Sequence, residues 1–593
     1  MARLKPAALV LVCALGASSA QANSFNVGQA TVTIGGVVSA GTAIRTRDAD
    51  PDLTSRANGP AVGIPGNTLP SPSGRNQDDG NLNYRRGDPV STVVKALVNV
   101  DVKYGDVGAF VRASAWRDFT LTDGRVGWGN IPNNYTPGTL GESSNSPYGR
   151  YSGAALLDAN VYGTTRVGDM PLFTRVGNQL LPWGVPATIA GGLSSLNPIN
   201  NPAARRPGAL PEEIGIPFPA AFARLGVTST INLEAFYQFA FQRSEPLGCG
   251  TFFSSVDYMA DRCDKIMFGA GTDRDTIAAP NYAKRAPDPT VSNNDQFGVG
   301  FTYKMESIAT QFGAYYAQYH QRTGMLGVIK SLRTSGTPYL AGDPDGLNGK
   351  YFVQYPERLR MFAFNAVTRT PDTTLSIEVV HRLNSPLSLN AADLAGAANS
   401  NTAATLIRDE YGAVAPGGVY PAYDRYATTD ILLGGSRSFG GILGAKITTL
   451  GGEFGFKYVH DLPDPNVRRY GRSDVFGSVP FNGVCSTVGP GLTCSNDGFV
   501  SQTAYGARVR GALGYVEVFP DTNVTPSVTY GYDLRGWSYD GVFNEGRQFA
   551  VLSVRTEYKK LYTAEIAYLP TWGGKYNTLR DRDVMTLAVS ARF

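Results

Sequence analysis

Three histidines occur in 593 residues, His320, His381 and His460, and acid–base or nucleophilic catalysis would ordinarily call on one of them as base. His381 shares parity with Leu375, Ile377 and Val379, and His460 with Phe454, Phe456 and Tyr458. Side chains alternate between the two faces of a strand, so both histidines fall on an apolar face at a strand end, where interfacial residues sit. His320 closes the tyrosine-rich run 314–319, whose face the sequence does not assign. None has a serine or aspartate placed to complete a catalytic set, so no catalytic residue, no enzyme activity and no cofactor are expected.

Two acidic stretches could hold a metal. Asn76-Gln77-Asp78-Asp79-Gly80-Asn81 crowds carboxylate and amide oxygens around a glycine, as does Asp343-Pro344-Asp345-Gly346-Leu347-Asn348. Neither spacing completes a calcium loop, and both read better as hydrogen-bonded turns, so no metal ligand is assigned. Cys249, Cys263, Cys485 and Cys494 form two close pairs in Gly- and Ser-rich surroundings. Without Cys-x-x-Cys spacing or a nearby histidine, they read as two loop disulfides, 249–263 and 485–494.

The most suggestive stretch is 177–222. It runs through Trp183-Gly184 and Asn197-Pro198 to Arg205-Arg206-Pro207-Gly208, then Glu212-Glu213 and the apolar Ile216-Pro217-Phe218. A loop this long without periodicity is commonly functional or disordered, and this one is apolar enough to pack. The expectation is a loop folded into a lumen, with Arg205, Arg206, Glu212 and Glu213 setting the field of a constriction. The alternative is a surface loop with salt bridges.

Such a loop needs a lumen, and the rest of the chain supplies one. Arg3 and Lys5 precede an apolar run, 7–15, and then Ala20-Gln21-Ala22, a secretory leader expected to be cleaved after Ala22. Cys13 lies in that run without a lipoprotein triplet. Removing Arg3 and Lys5 from a net charge of +4 leaves +2, which argues for no nucleic-acid partner. Beyond the leader come long alternating runs. Val94, Ala96, Val98, Val100 and Val102 alternate with Lys95, Asn99, Asp101 and Lys103, and Leu552 and Val554 with Ser553 and Arg555. Such runs approach ~10 residues, the length a tilted strand needs to cross a bilayer. Short turns at 105–108 and 559–561 alternate with long irregular stretches, and aromatic residues gather at the ends of runs. The last nine residues, Met585 to Phe593, put Met585, Leu587, Val589, Ala591 and Phe593 on one face. The fold class is therefore all-β: residues 23–593 as one transmembrane antiparallel barrel in the bacterial outer membrane, with an even number of strands, about 14–18.

Several motifs resemble the proteobacterial outer-membrane family called domain of unknown function 1302. They include Asp79-Gly80-Asn81-Leu82-Asn83-Tyr84, Gly108-Ala109-Phe110-Val111-Arg112 with Trp116, and Val176-Gly177-Asn178-Gln179 leading to Trp183-Gly184. Leu233-Glu234-Ala235-Phe236-Tyr237-Gln238, Cys249-Gly250-Thr251-Phe252-Phe253-Ser254 and Asp581-Arg582-Asp583 belong to the same pattern. Val185 departs from it, where an acidic or polar residue would be expected. The resemblance implies large single barrels, often encoded near transporters of the resistance-nodulation-division type, and hence the handling of apolar compounds. The expected role is a passive channel or transport component for small hydrophobic compounds or lipids. A surface-interaction barrel with partner-binding loops is the alternative, and a general porin the third reading. Expected partners are outer-membrane lipids, the barrel assembly machinery, to which Phe593 would be the signal, a small hydrophobic substrate and such a transporter.

Overall fold

A peptide group facing hydrocarbon finds no water, so a strand can cross a membrane only if both its edges are paired. In a computed structural model, which describes residues 23–593 apart from 70–73, 131–132, 186 and 478–494, eighteen strands meet that condition by closing on themselves. The leader and the 485–494 cysteine pair lie outside the described residues. The first six strands are β1 (Ala30–Arg45), β2 (Pro89–Tyr104), β3 (Val107–Asp118), β4 (Ser152–Val167), β5 (Met170–Gln179) and β6 (Phe218–Gly226). Next come β7 (Ile231–Gln238), β8 (Phe297–Met305), β9 (Thr310–Tyr319), β10 (Leu359–Arg369), β11 (Thr373–Ser388) and β12 (Tyr423–Gly440). The wall ends with β13 (Ile447–Val459), β14 (Thr503–Phe519), β15 (Thr522–Arg535), β16 (Arg547–Tyr558), β17 (Tyr562–Leu569) and β18 (Val584–Arg592). Each pairs antiparallel with its sequence neighbour, and β1 closes the ring: Ala40 stands opposite Val94 of β2 and Val589 of β18.

The alternation read in the sequence is the alternation of the wall. Met585, Leu587 and Val589 of β18 are 40–51% exposed on the outer face, as are Leu552 and Val554 of β16. Ser527 and Ser553 bond to each other at 2.9 Å on the inner face. This apolar outer band around a polar interior belongs to a barrel seated in an outer membrane. Eight short connections share one rim. At the β16–β17 turn, Lys559 and Lys560 both take left-handed φ (54° and 57°). Two consecutive left-handed residues give the hairpin turn whose twist matches the strands, although Asn-Gly is its usual sequence. Exposed Tyr104, Phe519, Tyr558 and Tyr562 ring that rim as an interfacial belt.

The nine connections at the other rim include every long stretch anticipated from sequence, together with 536–546, too short to stand out there. Apart from 180–217, their described residues pack into a cap with small apolar cores of its own and a three-stranded sheet formed by Met325–Ile329, Lys350–Gln354 and Val419–Tyr420. The expected Cys249–Cys263 disulfide is present in the cap, with Cα atoms 6.2 Å apart. The turn reading of 343–348 holds, since Asp343 Oδ1 accepts from Asn348 N at 2.8 Å. Over the seam between first and last strands, loop 46–88 meets loop 570–583. Buried Arg45 lies 3.4 Å from Asp581, Arg47 2.7 Å from Asp583, and Arg580 2.6 Å from Asp50.

At the short-turn rim, Phe593 exchanges backbone bonds with Gly36 of β1, at 2.9 and 3.1 Å, and its ring lies over that glycine. A Cβ at Gly36 would lie 2.5 Å from Phe593 Cζ. Phe593→Asp is expected to reduce the folded, heat-modifiable fraction severalfold, and Gly36→Val to do the same by displacing the ring. Unboiled against boiled electrophoretic mobility reads both; unchanged fractions would count against Phe593 as a closing element.

Candidate functional site

Loop 180–217 follows β5 and enters the barrel instead of the cap. Its entry is fixed by Gln179, fully buried, which donates to Ala220 O at 2.7 Å. Asn197 then closes the base of the loop, donating to Leu181 O at 3.0 Å and accepting from Leu181 N at 2.9 Å. Trp183 lies edge-on to Phe236 (5.1 Å between centroids) and tilted against Tyr315 (5.0 Å), in space left by Gly298 and Gly300 of β8. Its Nε1 donates to Glu234 at 2.7 Å. Leu193 and Leu196, with no exposed surface, join these aromatics and Met361 in one apolar cluster on the inner wall. Amphipathic β-strands cannot bury a lumen face against lipid, so this apolar patch exists to seat the loop.

Two inward carboxylates, half-buried Glu453 and buried Glu378, hold the next segment by its backbone. Glu453 accepts from Thr188 N at 2.8 Å and Ile189 N at 3.0 Å, and Glu378 accepts from Leu193 N at 2.9 Å. Gly192, at φ +66°, permits this approach: a Cβ there would lie 2.0 Å from Glu378 Oε1. Arg382 donates to Gly192 O at 2.9 Å and to Asp430 at 2.6 Å. Lys457 binds Asp540 at 2.6 Å, and Tyr539 donates to Asp430 at 3.0 Å, which draws loop 536–546 inward as well. Charge-assisted hydrogen bonds such as these are roughly twice as strong as neutral ones, and here few waters compete.

The loop then crosses to the opposite wall. A Cβ at Gly41 of β1 would lie 2.7 Å from Pro207 Cβ, and one at Gly208 would lie 3.0 Å from Ala588 of β18. Glu213 forms a buried ion pair with Lys95 of β2 and accepts from Ser114 at 3.3 Å. Arg206 stacks on Trp116 of β3, 4.3 Å from the ring. Of the four residues expected to set the lumen field, Arg206 and Glu213 are therefore buried and occupied in holding the loop. Arg205 and Glu212 remain exposed. Among the described residues, Arg205 has no carboxylate partner and lies over the Phe253 ring, at 4.7 Å. Val185 is buried (7% exposed), not turned to the passage.

On the inner wall of β14–β17, where sequence reasoning had placed no site, guanidinium groups stand exposed. Arg508 and Arg547 both bind Asp533, at 2.6 and 2.7 Å. Arg510 and Arg555 face inward, are exposed, and have no carboxylate partner among the described residues; Arg555 stands across the ladder from Glu565. The parity of 553, 555 and 557 against 552 and 554 was the signal for Arg555, and no comparable signal singled out Arg510. Above the loop, Leu121, Leu247, Phe252 and Phe253 line a hollow whose polar end is Arg205, Arg206 and Asp118. Among the described residues, none of the three histidines stands in this part of the lumen. His320 is buried, accepting from Arg358 N at 3.1 Å, and His381 and His460 share Thr429 on the outer face, at 3.0 and 2.9 Å.

Comparison with known proteins bears on this barrel at two ranges. The sequence profile described as "Protein of unknown function (DUF1302)" matches residues 3–593. No protein of curated function is detectably similar in sequence. Among solved structures, OccK9 (OpdG) of Pseudomonas aeruginosa is similar over 95% of this chain and 97% of its own, at 10% identity and a TM-score of 0.40. A BenF-like porin from Pseudomonas fluorescens Pf-5 is similar over 95% and 98%, at 9% identity and a TM-score of 0.40. The outer membrane channel DcaP of Acinetobacter baumannii is similar over 95% and 97%, at 8% identity and a TM-score of 0.34. These likenesses are remote; the strand ladder and the outer face define the fold.

Two changes should loosen the loop without touching the wall's pairing. Gly192→Ala forces a side chain into Glu378, and deletion of 198–214 removes the span across to β1 and β3. Each is expected to raise single-channel conductance in a planar bilayer severalfold, and unchanged conductance would show that the loop does not limit the passage. Lys95→Met leaves Glu213 as an unpaired buried carboxylate and is expected to cost about 3–5 kcal/mol in the loop's seating, read as faster proteolysis within 198–214.

Proposed function

This chain belongs to the DUF1302 family of proteins of unknown function, and from the geometry above we propose that it is a passive, constricted channel of the outer membrane for small, largely apolar compounds that carry an acidic group. The observation that carries the reading is the inward loop 180–217, tied to both walls, with unpaired guanidinium groups on the inner face of β14–β17. Ionic rings and constrictions set the selectivity of such pores. Arg205, Arg510 and Arg555, lacking carboxylate partners, would attract an anionic group, while Phe252, Phe253, Leu121 and Leu247 beside Arg205 would take an apolar body. The mechanism needs no covalent step: the solute moves down its gradient, its acid passing between fixed guanidinium groups. A resistance-nodulation-division transporter, a partner suggested by the family resemblance, would be the inner-membrane counterpart.

The packed, disulfide-bonded cap supports a second reading, a surface-interaction barrel in which the wall only anchors the loops.

Bilayer recordings under a potassium chloride gradient separate these. The channel reading expects a small, anion-selective conductance, with selectivity lost in Arg510→Ala/Arg555→Ala. A large unselective conductance would favour a general porin, and no conductance the surface-interaction barrel.

A further inference from the structure

The cap contains a group of acidic side chains that the passage does not use. Asp78 and Asp79 come from loop 46–88, and Asp257 and Asp273 from loop 239–296; their exposures are 0, 0, 2 and 0%. One oxygen from each of Asp78, Asp79 and Asp257 lies within 4.8 Å of the others. Both oxygens of Asp78 accept from protein donors, with Asn58 Nδ2 3.3 Å from Oδ1, while the other three carboxylates have one oxygen accounted for. Asp78 accepts from Ser55 N at 2.7 Å, Asp79 from Asn130 N at 2.9 Å, Asp273 from Asn58 Nδ2 at 3.0 Å and Asp257 from Asp79 N at 3.4 Å. The Oδ1 atoms of Asp79, Asp257 and Asp273 are buried with no hydrogen-bond partner.

Buried carboxylates are ordinarily paired or bound to metal. The two nearest guanidinium groups are engaged elsewhere: Arg75 donates to Phe268 O at 2.7 Å, and Arg582 donates to Phe252 O at 2.6 Å while pairing with Asp581. Asp79, Asp257 and Asp273 thus each keep one buried oxygen without a donor, beside a cluster in which oxygens of three carboxylates lie within 4.8 Å of one another.

We propose that Asp78, Asp79 and Asp257, with Asp273 beside them, bind a hard divalent cation, calcium, that clamps two extracellular loops together. An all-oxygen donor set selects hard cations, and calcium accepts irregular carboxylate cages where magnesium retains its waters. The site lies where the two loops interlock: a Cβ at Gly80 would lie 2.4 Å from Thr251 O and 3.0 Å from Phe252 O. Asn130 secures a third loop there, donating to Asp257 O at 2.9 Å while its own N–H reaches Asp79. The Cys249–Cys263 disulfide brackets Asp257 and holds its segment in place. The clamp is independent of what passes through the barrel.

The test uses the detergent-purified mature barrel, stripped with chelator and returned to millimolar calcium or magnesium. Elemental analysis is expected to find about one calcium per chain before stripping. Calcium should raise the thermal midpoint by several degrees and protect loop 239–296 from protease, with magnesium weaker. Asp79→Asn/Asp257→Asn should retain the heat-modifiable barrel but lose the calcium response. A stripped wild type whose midpoint and protease resistance ignore calcium would overturn the proposal, as would a double variant that responds as wild type does. Should the variant not fold, the wild type's metal content and calcium response decide alone.

Discussion

Pairing of β1 with both β2 and β18 is the constraint from which the rest of the molecule follows. Hydrocarbon tolerates no open sheet edge, so the wall must return to its beginning, and a wall that closes encloses a space shielded from lipid. There Glu234 and Glu378 stay buried and still find donors: Glu234 in Arg224 of β6 and in the Trp183 indole of loop 180–217, Glu378 in the loop's Leu193 N–H. Half-buried Glu453 takes Thr188 N–H and Ile189 N–H in the same way. Wall and loop therefore satisfy each other, inward carboxylates meeting loop N–H groups that no strand pairs.

The wall was legible because its information is local. Strict alternation in 94–104 and 585–593 names the faces without any knowledge of neighbours, and the turn at 559–561 marks the direction. The inward loop was legible as a kind of segment, apolar and without period, but its seating was not. Glu213 meets Lys95 across 118 residues, and Thr188 meets Glu453 across 265. Local sequence could not show that Arg206 stacks on Trp116 and Glu213 pairs with Lys95, while Arg510 and Arg555, unremarkable there, have no carboxylate partner among the described residues. The acidic run at 76–83 is a similar case. Alone it is a turn, and it becomes something else only when Asp257, 178 residues beyond Asp79, folds against it.

Charge is distributed by height in this barrel. The cap buries the group Asp78, Asp79, Asp257 and Asp273, the level of the loop holds the ion pairs Lys95–Glu213 and Arg382–Asp430, and Arg510 and Arg555 on the inner wall stand without carboxylate partners among the described residues.

The ion pairs over the seam have a temporal meaning. Arg45 and Arg47 leave β1 early in the chain, and Asp581 and Asp583 arrive 536 residues later, just ahead of the strand that completes the wall. Until that strand is in place Arg45 and Arg47 lack Asp581 and Asp583, and Asp50 and Asp52 lack Arg580. The outer mouth therefore acquires its final form only when the barrel does, and a barrel held open at the seam would show charges of both signs that the finished one pairs.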